Sequence, residues 1–186
     1  MAAHEPEAAR PILYIFAGLP GTGKSTLSQL VARQLQAVYL RIDRIEQGLR
    51  ELCSFDVQGE GYRLAYRIAA DNLRLGMSVV ADSCNPIELT RREWEQVARD
   101  APADYINIEV ICSDTSEHRR RAETRVAEVS GLKLPTWSAI ENREYHDWTV
   151  DRLVIDTAGR SALECARELL SKLSGRRAQP FGGADA

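Results

Sequence analysis

Apolar runs recur five times along the chain, separated by stretches whose apolar residues fall at helical spacing. The runs lie at 12–17 (Ile-Leu-Tyr-Ile-Phe-Ala), 37–42, 77–81, 104–112 and 151–155. Their length and their β-branched and aromatic content predict short buried strands. Between them, Leu27, Leu30, Val31 and Leu35 predict a helix over 24–36, and a further helical stretch covers 44–52. Leu64, Ala65, Ile68, Ala69 and Leu73 predict one over 62–75, ended by Gly76. Asn85 as cap, Pro86 at the first position and Glu88 at the third open another, running to about 99. Asp114 caps an arginine-rich helix, Pro135 opens one that continues through Trp148, and Ser161 with Glu164 caps the last, to about 173.

Strands alternating with helices specify an α/β fold: a three-layer sandwich around a five-stranded, mainly parallel sheet covered on both faces. One domain spans 12–174. Tails at 1–11 and 175–186 are expected to be disordered, and 121–136, with Gly131 and Pro135 near its end, reads as a mobile helical lid.

The first run leads into Gly18-Leu19-Pro20-Gly21-Thr22-Gly23-Lys24-Ser25-Thr26, which opens the first helix. Strand, glycine-rich turn and helix form the context that makes G-x-x-x-x-G-K-S a phosphate-binding loop. The glycines let the backbone approach a ligand, and amides at the helix start point at one place where the dipole adds positive charge. Lys24 is assigned to the β- and γ-phosphates, and the Ser25 hydroxyl to Mg²⁺. ATP with Mg²⁺ is the expected cofactor pair.

Two acidic residues end strands near that loop. Asp43 follows the second run, where ligands bind in open α/β sheets. Two readings of it stand: a helix cap completed by Glu46, or a carboxylate that takes the proton of an attacking hydroxyl. Asp82 ends the third run and is a candidate for the Mg²⁺-directed carboxylate. Arg121 and Arg125, four apart on one helix face, are candidates to close over the triphosphate, against the reading of a solvated charge run. The loop 156–160, with Thr157 and Arg160, is placed beside the adenine. Trp137, Ile140, Tyr145 and Trp148 fall near one helix face, read as core or as an aromatic wall for a substrate.

Over 12–173 the chain resembles the small phosphate-loop (P-loop) kinases. That group includes shikimate, gluconate and adenylylsulfate kinases, chloramphenicol phosphotransferase and polynucleotide 5′-hydroxyl kinases. The layout is most similar to the polynucleotide-kinase-like branch, whose members are often labelled AAA-type ATPase domains. The resemblance implies a P-loop NTPase sheet of order 2-3-1-4-5 and an ATP·Mg²⁺ site at Gly18 to Thr26. It implies Asp43 as general base, Asp82 as the acidic residue after the third strand, and Arg121 and Arg125 as lid-side arginines, with Arg125 the catalytic one. Nucleic-acid kinases of this type carry an arginine three residues after the base; here that position is Glu46, which would repel a substrate phosphate.

Composition sharpens this picture. The 186 residues carry a net charge of −3, which does not suggest a nucleic-acid protein. No run is long enough to span a bilayer, and the first ten residues lack a signal peptide's apolar core, so a cytoplasmic protein is expected. The four cysteines show no C-x-x-C spacing and read as buried thiols. The leading expectation is an ATP-dependent phosphotransferase acting on a hydroxyl of a small organic molecule. A nucleotide or polynucleotide kinase and a regulatory ATPase with a protein partner are the alternatives.

Overall fold

The computed structural model describes residues 10–177. The order is β1 Ile12–Ala17, α1 Lys24–Leu35, β2 Val38–Arg41, α2 Ile42–Cys53, α3 Glu60–Arg74 and β3 Val79–Asp82. It continues with α4 Glu88–Asp100, β4 Asp104–Ile111, α5 Thr115–Thr124, α6 Trp137–Glu141, β5 Leu153–Asp156 and α7 Ala162–Arg177. The strands form one sheet in the order β2-β3-β1-β4-β5, every pairing parallel.

β1 is buried along its whole length because it serves both faces. Tyr14 and Phe16 join Leu27 and Val31 of α1 and Leu169 of α7 in one core. Leu13 and Ile15 alternate to the other side, against Ala65 and Ala69 of α3 and Trp94 of α4. Helices on both faces cover the parallel sheet, as its double-sided burial requires. Trp94 is wholly buried.

Register places the chemistry along one rim. Phe16 and Arg41 both pair with Asp82, Ala17 pairs with Glu109, and Ile111 pairs with Asp156, so the five strand ends adjoin. In an open α/β sheet this is the ligand-binding edge.

Several local expectations differ from the structure. α4 begins at Glu88 with Ile87 as its cap residue, so Asn85 is not an N-cap. Asn85 instead lies fully buried with φ 44°, and its Nδ2 donates to the Phe16 carbonyl at 2.8 Å. It ties the end of β3 to the end of β1, a long-range role that a capping pattern conceals. The helix opened at Thr136 ends at Glu141, and 142–150 is irregular. The lid is helical only to Thr124; 125–136 is an irregular strap. Of the cysteines, Cys112 and Cys165 are buried, but Cys53 is exposed. Residues 1–9 and 178–186, most of the two expected tails, lie outside the described residues, and α7 carries 175–177. Among the described residues no helix is long and apolar enough to cross a membrane.

Candidate active site

The phosphate loop is fixed from three sides. The Gly18 amide donates to the Cys84 carbonyl at 3.1 Å. His118 of α5 donates from Nε2 to the Pro20 carbonyl at 2.9 Å, and the Thr157 hydroxyl donates to the Thr22 carbonyl at 2.8 Å. Glycine is required where the loop runs tightest. Gly18 has φ +142°, and a Cβ there would sit 2.3 Å from the Val110 carbonyl oxygen. Gly23 caps α1 in the left-handed region without a side-chain bond to the helix. The first-turn amides of α1 are therefore left for a ligand.

Lys24 points inward rather than to solvent. Its Nζ is 2.8 Å from Oδ1 of Asp82, with side-chain exposures of 8% and 1%. The other oxygen of Asp82 accepts from the Tyr39 hydroxyl at 2.6 Å, and Nε of Arg41 lies 3.9 Å from it. Burial alone would push the Asp82 carboxyl up. The Lys24 ammonium, with hydrogen bonds from Lys24, Tyr39 and Ser25, outweighs it and holds the group below the usual carboxylate range. Burial would also lower Lys24, and Asp82 reverses that, so the ammonium is raised and stays charged. The candidate metal residues, Ser25 and Asp82, are thus neighbours.

Asp43 stands in the first turn of α2, not at its cap, and no side chain caps that helix. The capping-box reading of Asp43 and Glu46 is therefore not realised. The Asp43 carboxylate makes no hydrogen bond or ion pair among the described residues and lines a cleft of about 870 Å³. Arg125 lines the same cleft. Its Nε is buried without a hydrogen-bond partner among the described residues. Burial lowers its pKa and the nearby Asp43 partly offsets this; a guanidinium stays cationic throughout.

Arg121 is placed differently. α5 ends at Thr124 and Arg125 has extended backbone, so the two arginines do not share a helix face. Arg121 donates to the Thr157 hydroxyl at 2.9 Å, to its carbonyl at 3.0 Å and to Glu117 at 2.6 Å. It bolts α5 to the loop after β5. Thr157 and Arg160 of that loop line the cleft, with Arg160 paired to Glu168 at 2.6 Å.

Of the two readings of the aromatic stripe, the substrate wall is not realised: among the described residues no aromatic side chain lines this cleft. Tyr145 and Trp148 instead flank the guanidinium of Arg91, which lies 4.0 Å from the Trp148 ring and 5.0 Å from that of Tyr145. Arg91 is almost fully buried and donates to the carbonyls of Asn85, Pro86, His146 and Asp147. It pins 142–150 beside the strand ends. Trp137 meets the His118 ring edge-on at 5.1 Å.

Tyr39, Arg41 and His118 escaped the sequence reading. Period-two alternation carried the signal for the first two, because both fall on the β2 face that neighbours Asp82. Arg41 also reaches across to the strap, pairing with Glu128 at 2.6 Å. Nothing local marks His118.

Comparison with known proteins agrees with this fold. Adenylyl-sulfate kinase of Bacillus licheniformis is 22% identical over 174 residues, covering 90% of this chain and 87% of the relative. The APS kinase of Mycobacterium tuberculosis, solved in complex with AMPPNP and APS, superimposes with a TM-score of 0.68 at 23% identity, covering 89% of this chain and 99% of the other. A gluconokinase of Sinorhizobium meliloti gives 0.64 at 16% identity, covering 90% and 94%. At such identities the superpositions speak for the fold. The AAA domain family model matches residues 13–140, and the chain belongs to that family, in its P-loop kinase form.

Proposed function

We propose that this protein is an ATP-dependent phosphotransferase that moves the γ-phosphate of Mg·ATP to a hydroxyl of a small organic molecule. One observation carries the reading. A cradle of unused helix amides with the buried Lys24, Ser25 and Asp82 opens into the same cleft as an unpaired carboxylate, Asp43, and a partly desolvated guanidinium, Arg125. The relatives named as adenylyl-sulfate kinase and gluconokinase support it.

The residues fit the cofactor. The first-turn amides of α1 suit phosphate oxygens, and a cradle with a Cβ at Gly18 would clash with its own backbone. The hydroxyl of Ser25 beside the charged Asp82 is an oxygen-donor set that suits Mg²⁺. Bound there, Mg²⁺ would neutralise charge on the β- and γ-phosphates.

Each side chain then has a task. Lys24 exchanges Asp82 for phosphate oxygens. Asp43 accepts a hydrogen bond from the acceptor hydroxyl, orients it and takes its proton as the oxygen attacks phosphorus. Arg125 supplies donors and charge to the transferring group where desolvation strengthens them. Arg121 and His118 keep α5 against the phosphate loop. The strap 125–136 covers the site and keeps water from competing as the nucleophile.

The test is a γ-phosphate transfer screen across hydroxylated metabolites, antibiotics, nucleosides and oligonucleotides, with Lys24→Ala as the blank. Transfer to a small molecule above the blank is expected. Turnover to water alone, with every acceptor unmodified, would overturn the proposal. Preferential labelling of oligonucleotides would replace it with an end-kinase, which the cleft's lack of stacking side chains does not favour.

A further inference from the structure

We infer that the acceptor is an anionic aliphatic alcohol, a hydroxyl compound bearing a carboxylate, sulfate or phosphate group, held by Arg143 and Lys133 across the cleft from Asp43. The inference rests on the phosphotransferase reading and narrows it.

The charges of the acceptor half support this once its internal pairs are set aside. Arg41 is neutralised by Glu128 at 2.6 Å and Arg50 by Glu46 at 3.3 Å. The lining groups left without an ion pair among the described residues are Asp43, Arg125, Lys133 and Arg143. Three cations therefore face one carboxylate. Asp43 is the main opposing charge acting on Arg125, which is assigned to the transferring phosphoryl group. Lys133 and Arg143 are exposed and make no ion pair among the described residues. They come from different segments, the strap and the stretch pinned by Arg91, yet both line this cleft. Arg143 lines the cleft together with Cys84, which follows the end of β3, and with Lys24.

Two unpaired cations cost little while water fills the cleft. When a bound acceptor displaces that water, each cation needs an anion or leaves a desolvation penalty. A neutral alcohol meets that penalty; an acid removes it. The same excess of positive charge draws anions into the cleft before contact. The rest of the lining excludes other acceptors. No aromatic side chain faces the cleft among the described residues, so a nucleobase or aryl ring would find no stacking partner. Asp43, Glu46 and Gln47 supply oxygens that accept from hydroxyl groups.

The experiment titrates Mg·AMPPNP-loaded protein calorimetrically with matched probes: D-gluconate against D-sorbitol, and D-glycerate and glycerol 3-phosphate against glycerol. At least one acid should bind tenfold or more tighter than its neutral partner, and which one separates carboxylate from phosphate recognition. Arg143→Ala/Lys133→Ala should bring that ratio to within about twofold of unity, and Arg143→Lys should retain most of it. A wild-type ratio near one for every pair overturns the inference. So does a ratio that survives the double substitution while nucleotide affinity falls, since the two cations would then serve the triphosphate. Failure of wild-type protein to bind Mg·AMPPNP at all would instead sink the phosphotransferase reading, and the inference with it.

Discussion

Lys24 and Asp82 form a buried ion pair, 2.8 Å between Nζ and Oδ1, at the point where the phosphate loop meets the end of β3. Each holds the other charged in a place that neither would occupy alone. The pair stores the two charges the nucleotide site needs, with Tyr39 fixing the second Asp82 oxygen. Removing one partner strands the other.

Lys24→Met should therefore destabilise the fold by about 3–5 kcal/mol, because a buried carboxylate is left uncompensated. Lys24→Met/Asp82→Asn should recover much of that loss, as a double-mutant cycle in urea would read. A cycle showing no coupling would mean that solvent already screens the pair. The pH dependence follows from the two shifts. Asp82 titrates below its ordinary 3.8, so its share of the stability is present above 3.8 and is lost as pH falls through the lower folded value. Lys24 titrates above its ordinary 10.5, so its share is present below 10.5 and is lost as pH rises past the folded value. Between those limits the pair's contribution should be flat.

Asp43 sits in the first turn of α2, and its carboxylate makes no hydrogen bond or ion pair among the described residues. Asp43→Asn should leave the urea midpoint close to wild type, since no hydrogen bond or ion pair of its carboxylate is broken. It should lower kcat by about 10²–10⁴-fold, the usual range for removing a general base. Nucleotide affinity, read by fluorescence of a labelled ATP analogue, should change little. A variant with wild-type turnover would return Asp43 to a structural role.

The two arginines of the α5 end should separate in their effects. Arg125 has a free Nε in the cleft, so Arg125→Ala should cost about 10²–10³-fold in kcat with little effect on stability. Arg121 is spent on Thr157 and Glu117, so Arg121→Ala should lower the melting temperature and loosen the wall of the phosphate loop. Its effect should appear in the nucleotide KM more than in kcat. Equal kinetic losses from both substitutions would show that Arg121 releases Thr157 and joins the transfer.

The contrast marks what the sequence could and could not show. The alternation of strands and helices, the phosphate loop and the caps at Asp114 and Ser161 were legible because each depends on residues within a few positions of one another. The place of Asp82 at the end of β3 was legible because it closes a short apolar run. Asn85 and the Tyr145–Trp148 pair were misread for one reason. Their local spacing fits a cap and a helix face, but their partners, Phe16 and Arg91, come from elsewhere in the chain. Arg121 and Arg125 were placed on one helix face because four-residue spacing implies it. The helix ends between them, and nothing in the spacing announces that.

Glu46 is a carboxylate whose charge the fold disfavours. Burial pushes it up from 4.5, Arg50 pulls it back, and Asp43 one turn away pushes it up again, leaving it raised. Gly61 presses α3 close enough that a Cβ there would sit 2.2 Å from the Glu46 Cγ, so the side chain cannot retreat that way. A raised folded value means that the fold prefers the protonated acid. The charged form then carries a penalty at neutral pH, relieved as pH falls through the folded pKa and absent below 4.5. Glu46→Gln keeps the shape without the charge. It should raise the urea midpoint at pH 7, with the gain shrinking as pH falls and vanishing near 4.5. A midpoint lower than wild type at pH 7 would mean that the pairing with Arg50 outweighs burial. In that case Arg50, freed by the substitution, would count among the unpaired cations facing the acceptor.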